Sequence, residues 1–166
     1  AGSSGRGAMP IDPGARRSAL VCLVLLVTTI AAGAFVAGLD AGLAYNTFPL
    51  MDGQWVPPGY LDQAPWWRNH LENTASVQFN HRLLATVTAV AIIANWFYLR
   101  RRPVAARARR WAALAAALAG GQFTLGVAVI LLAVPVALGA LHQLMAVALF
   151  AAMVTMVHGL VRPARG

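Results

Sequence analysis

Apolar residues dominate four stretches of the chain, residues 18–39, 76–99, 111–134 and 136–161, while polar residues gather in the connections and at both ends. A hydrocarbon core about 30 Å thick takes roughly 20 apolar helical residues to cross, so each stretch predicts one transmembrane helix. The third and fourth are separated only by the few residues around Pro135, which makes them antiparallel neighbours. The first and second are joined by DAGLAYNTFPLMDGQWVPPGYLDQAPWWRNHLENTA, residues 40–75. The pattern predicts an all-α integral membrane protein, a four-transmembrane-helix bundle with a long outer loop between helices 1 and 2. Loops of that length tend to be functional. The aromatic residues Tyr45, Phe48, Trp55, Tyr60, Trp66 and Trp67 suit a membrane interface, and a short amphipathic piece is expected over residues 64–71. Residues 1–17, rich in Gly, Ser, Pro and Arg, read as a flexible cytoplasmic linker, residues 18–161 as the membrane domain and residues 162–166 as a cytoplasmic tail.

Charge then orients the bundle. The formal charge is +8 and every one of the 13 basic residues is arginine, which alone would suggest nucleic acid. Their placement gives another reason. Arg6, Arg16 and Arg17 precede the first helix, six more fill RRRPVAARARR between the second and third, and Arg162 and Arg165 follow the fourth. In an up-and-down bundle these fall on one side, which the positive-inside rule makes cytoplasmic. Asp40, Asp52, Asp62 and Glu72 fall on the other. Topology accounts for the charge without nucleic acid, and the expected location is a multi-pass cell (inner) membrane with both termini cytoplasmic. The single cysteine, Cys22, excludes an intrachain disulfide or a cysteine-based metal cluster.

Against this background QFNHRLLATV, residues 78–87, stands out, because His81 and Arg82 lie just inside a span and intramembrane ionisable groups are costly. HRLLATV in the second helix matches HQLMAVA in the fourth at His, Leu and Ala, and GAFVAG in the first shares the form GxFxxG with GQFTLG in the third. The chain therefore reads as two helix-pair pseudo-repeats related by an axis along the membrane normal. His81 and His142 each lie about 8 Å from the outer end of their helix, at 1.5 Å per residue, on helices that can face each other across the bundle. Two imidazoles so placed match the two axial positions of a heme iron, with the small residues leaving room for the macrocycle. The alternative is interhelical hydrogen bonding by each histidine separately. His158 is about 24 Å deeper than His142 and cannot join the pair, His70 in the outer loop reads as solvated, and zinc lacks further ligands. Arg82 can snorkel to headgroups, pair with Asp40 or Glu72, or meet a heme propionate.

GAFVAGLDAGLAYNTFPLMDGQWVP, ENTASVQFNHRLLATV and QFTLGVAVILLAVPVALGALHQLMAVAL together resemble the heme A synthase (cytochrome oxidase assembly) family over about residues 33–149. The resemblance is to the C-terminal four-helix half of an eight-helix protein. It implies an oxidoreductase that converts the methyl group of heme O to the formyl group of heme A, and a heme b held by the pair matching His81 and His142. Gln78 and Arg82 of the QFNHR motif join the two histidines as candidate cofactor-binding residues. No catalytic residue is assigned, because the family places its substrate heme and catalytic acid in the N-terminal half. The expected partners are heme O, a second four-helix half or a second copy, heme O synthase and other assembly factors, and the lipid bilayer, with catalysis expected only together with that second half. A non-catalytic bis-histidine module for electron transfer or heme delivery is the alternative.

Overall fold

The computed structural model describes residues 12–161. Four long helices, α1 (Pro13–Gly38), α2 (Thr74–Arg100), α3 (Ala106–Leu131) and α4 (Val136–Val161), are each long and apolar enough to cross a membrane. They form a ring in which α1 packs on α2, α2 on α3, α3 on α4 and α4 back on α1. Large apolar side chains point outward all round it, among them Val24 at 64% exposure, Val90 at 63% and Leu144 at 66%. Such a surface is stable against lipid and not against water. The chain is a multi-pass membrane protein.

Local chemistry sets the helix ends. The Asp12 carboxylate accepts from the backbone N–H groups of Gly14 and Ala15 at 2.8 and 3.1 Å, and Pro13 supplies the fixed φ of a first turn. The helix thus starts five residues before the apolar run, and Pro13–Arg17, expected as linker, is helical. The remainder of that linker, residues 1–11, and the expected tail, residues 162–166, lie outside the described residues. α3 also begins early, because Ala108 is fully buried while Arg107, Arg109 and Arg110 point outward. Arginines on the outer face of a first turn are compatible with a span whose other face is apolar. Asn73 caps α2 by accepting from Ser76 N–H at 2.9 Å. α3 stops at Leu131, short of the expected 134. Val134 N–H bonds Val129 O at 2.8 Å and Ala133 N–H bonds Ile130 O at 3.0 Å, with Ala133 and Val134 left-handed at φ 55 and 56. This is a Schellman-type stop, and Pro135 keeps the preceding residue out of the right-handed helical region.

One spacing recurs on all four helices. Ala15, Ala19, Cys22 and Leu26 on α1, Thr88, Ile92, Asn95 and Leu99 on α2, Ala108, Ala112, Ala115 and Ala119 on α3, and Leu149, Met153, Met156 and Leu160 on α4 are buried. Each set steps by four, three and four residues, the knobs-into-holes period. These seams close the arginine-rich half of the bundle, small α3 alanines complementing the large α4 methionines. They also fix the internal repeat. Seven residues beyond Leu26 and Ala119 stand Gly33 and Gly126, so Gly33 corresponds to Gly126 and the GxFxxG strings, which align Gly33 with Gly121, are out of register. In the other half no residue of 30–38, 79–87, 120–131 or 136–148 is fully buried. The buried seams do not continue into it.

The connection between α1 and α2 covers that end. It contains a 3-10 turn at Ala41–Leu43, a tight hairpin closed by Met51 and Gln54 around Asp52 and Gly53 (φ 49 and 81), and a 3-10 turn at Trp66–His70. The expected amphipathic piece is this last turn, but the face it buries is polar. Asn69, 1% exposed, donates to Gln63 O at 2.8 Å and Trp66 O at 3.0 Å and accepts from Asn73 at 3.1 Å, while Trp66 and Trp67 point outward.

Candidate cofactor site

α2 and α4 stand diagonally across the ring, and each carries one histidine in its first two turns, His81 and His142. Each ring leans on the neighbouring helix at a glycine. A Cβ on Gly33 of α1 would lie 2.9 Å from His81 Cε1, and a Cβ on Gly126 of α3 would lie 3.0 Å from His142 Cε1. Any side chain at either position would push the imidazole aside. The two contacts are equivalent under the repeat, so the histidines occupy matched places above the closed half of the bundle. His81 Nδ1 and His142 Nδ1 are both buried without a hydrogen-bond partner.

Beneath each ring, four residues before its glycine, stands a polar side chain. Beside His81 it is Thr29, which donates to Leu25 O at 2.8 Å and shares a 2.7 Å hydrogen bond with Thr88. Beside His142 it is Gln122, whose amide nitrogen donates to His142 O at 3.1 Å and lies 3.2 Å from His142 Nε2. Sequence reasoning missed Gln122. Its signal was an amide inside an apolar span, within the same GQFTLG string that was read only for its glycines.

Arg82, next to His81, makes no ion pair with Asp40 or Glu72. Its Nη1 and Nη2 donate to the carbonyls of Thr47 and Tyr45 at 2.8 and 2.6 Å, and Gln78 Nε2 donates to Tyr45 O at 3.0 Å. Glu72 is held by Arg68 at 2.6 Å. Phe48 meets Phe123 edge to face at 6.1 Å, and Asn46 donates to Ile130 O at 3.0 Å. Residues 45–48 therefore form a strap from α2 to α3 across this end of the bundle. Arg82 Nε and Gln78 Oε1 remain buried and unpartnered at its edge.

The other two histidines stay apart from the pair. His70 is exposed, 3.3 Å from Asn80 Nδ2 and stacked edge-on to Trp66, and His158 is exposed in the last turn of α4. Among the described residues no three His, Cys, Asp or Glu side chains cluster as a metal site. Two nitrogen ligands alone suit a metal that brings its own equatorial ring. The break in the buried seams and the two glycine contacts fit such a group.

The sequence profile described as cytochrome oxidase assembly protein matches residues 5–154. Among curated proteins, the heme A synthase of Nitrosospira multiformis is 43% identical over 145 residues, 87% of this chain and 39% of that protein. A heme A synthase of Arabidopsis thaliana is 43% identical over 86% of the chain and 31% of its own length. A third, from Acidiphilium cryptum, is 44% identical over 85% of the chain and 38% of its own length. The chain thus spans 31–39% of the length of these relatives. No solved structure matches it at a significant level.

Proposed function

The chain belongs to the cytochrome oxidase assembly protein family whose curated relatives are heme A synthases, and from that premise we propose that it is the heme b-carrying, C-terminal half of a heme A synthase. The observation that carries the reading is the pair of equivalent contacts, His81 on Gly33 and His142 on Gly126, at one level of the bundle. His81 and His142 would hold the heme iron, between the segments 30–38, 79–87, 120–131 and 136–148, where the buried seams stop. Arg82, with Nε unpaired beside the strap, is the group for a cofactor carboxylate, and Gln78 holds the strap in place.

A heme bound there supplies a redox-active iron. The protein's part is to hold it: two imidazoles from rigid helices, a floor in which the Thr29–Thr88 pair and Gln122 lie above the packed apolar seams, and a cover that limits water. The oxidation of the heme O methyl group to the formyl group of heme A is assigned to a second four-helix unit, in the same polypeptide or a second copy. With the arginine-rich ends facing the cytoplasm, the site lies toward the outer face.

Purified protein is expected to show a six-coordinate low-spin heme spectrum that His81→Ala and His142→Ala each abolish. A colourless protein, or a spectrum unchanged in both variants, overturns the assignment. Extraction of the bound hemes separates the enzyme from a heme-delivery or electron-transfer module: heme O, its hydroxylated intermediate or heme A beside heme B supports the synthase, and heme B alone supports the module.

A further inference from the structure

The two histidines are equivalent in place but not in surroundings. At His81 the side chain one turn below the glycine is Thr29, whose hydroxyl is already engaged by Leu25 O and Thr88. At His142 it is Gln122, and the backbone fixes which way its amide points. His142 O, 3.1 Å away, can only accept, so the amide nitrogen must face it. The same nitrogen has a second hydrogen, directed at His142 Nε2 at 3.2 Å. Nε2 must then present a lone pair, which places the ring proton on Nδ1. That is the tautomer an iron ligand bound through Nε2 requires.

We propose that Gln122 is a positioning residue for His142: it sets the ring in the Nδ1-protonated tautomer and covers the Nε2 lone pair, through which the ring would hold an iron. The inference rests on the bis-histidine reading of the site.

Two measurements test this. Nitrogen-15 NMR of the imidazoles in heme-free protein in lipid nanodiscs is expected to show His142 in the Nδ1–H form, with a tautomer mixture in Gln122→Leu; an Nε2–H ring in the wild type overturns the proposal without any heme being present. Rapid mixing of heme-free protein with hemin is expected to give the low-spin spectrum faster in Gln122→Leu than in the wild type by about two- to tenfold, the worth of one net hydrogen bond, and not at all in His142→Ala. An unchanged rate in Gln122→Leu overturns the role given to the Nε2 contact. Wild-type protein that never becomes six-coordinate refutes the bis-histidine reading instead, and the tautomer result still judges Gln122.

Discussion

At Gly33 and Gly126 the side chain is one hydrogen, and each histidine ring uses the space it leaves. An added methyl would sit 2.9 or 3.0 Å from the imidazole carbon, inside contact distance. Forcing extra carbon into a packed site costs about 1–3 kcal/mol, and the ring that must yield is the one whose aim matters. Gly33→Ala and Gly126→Ala should each weaken heme binding by about five- to hundredfold, measured by hemin titration with helix content followed by circular dichroism. Gly38, where an added Cβ meets nothing within 4 Å, is the control and should bind as the wild type does; equal affinity in all three would dismiss the cradle. The histidines themselves were legible in the sequence because an ionisable group in an apolar run needs a reason. Their glycines were only half legible. A string match cannot say which residue lies across the bundle, and GxFxxG aligned Gly33 with Gly121, although a Cβ on Gly121 would touch Met145 rather than a histidine. Gln122 stayed hidden for the same reason, since its meaning comes from a ring on another helix.

Helices α3 and α4 divide the volume of the closed half unequally. Alanines at 108, 112, 115 and 119 let α3 approach, and Met153 and Met156 fill the interior. Close approach over small residues is a main source of helix association in lipid, where no hydrophobic drive remains. Ala115→Leu, at a fully buried position, is therefore expected to cost about 1–3 kcal/mol in detergent unfolding, while Ala117→Leu on the exposed face should change stability by less than about 0.5 kcal/mol. Comparable losses in both would mean that the seam is not closely packed. The existence of four spans was legible because their apolar length leaves no soluble alternative. Their ends were not, since an apolar window stops at the first arginine whereas the helix stops where its backbone groups find other partners. Asp12 and the Schellman stop before Pro135 shift the boundaries for that reason. The long loop carried its aromatic content openly but hid its interior, because a buried asparagine network has no periodic signature.

The molecule as a whole has one closely packed end and one into which the buried seams do not run, and the positive-inside rule predicts that the packed end faces the cytoplasm. The packed seams run to the end that carries Arg100, Arg101, Arg102, Arg107, Arg109 and Arg110, while the glycines, the histidines and the strap lie toward the other. With that orientation the proposed cofactor site lies toward the outer face, and the strap with its hairpin stands between it and the exterior solvent. Cys22 is 4% exposed and buried against α2, so introduced thiols can be read over a silent background. Trp55→Cys, at a loop position 75% exposed, should react with a membrane-impermeant maleimide on intact cells. Arg107→Cys, exposed in the first turn of α3, should react only after the membrane is opened. The reverse labelling would put the histidine pair at the cytoplasmic face, and heme loaded from outside the bilayer would then have to cross the packed half of the bundle to reach it.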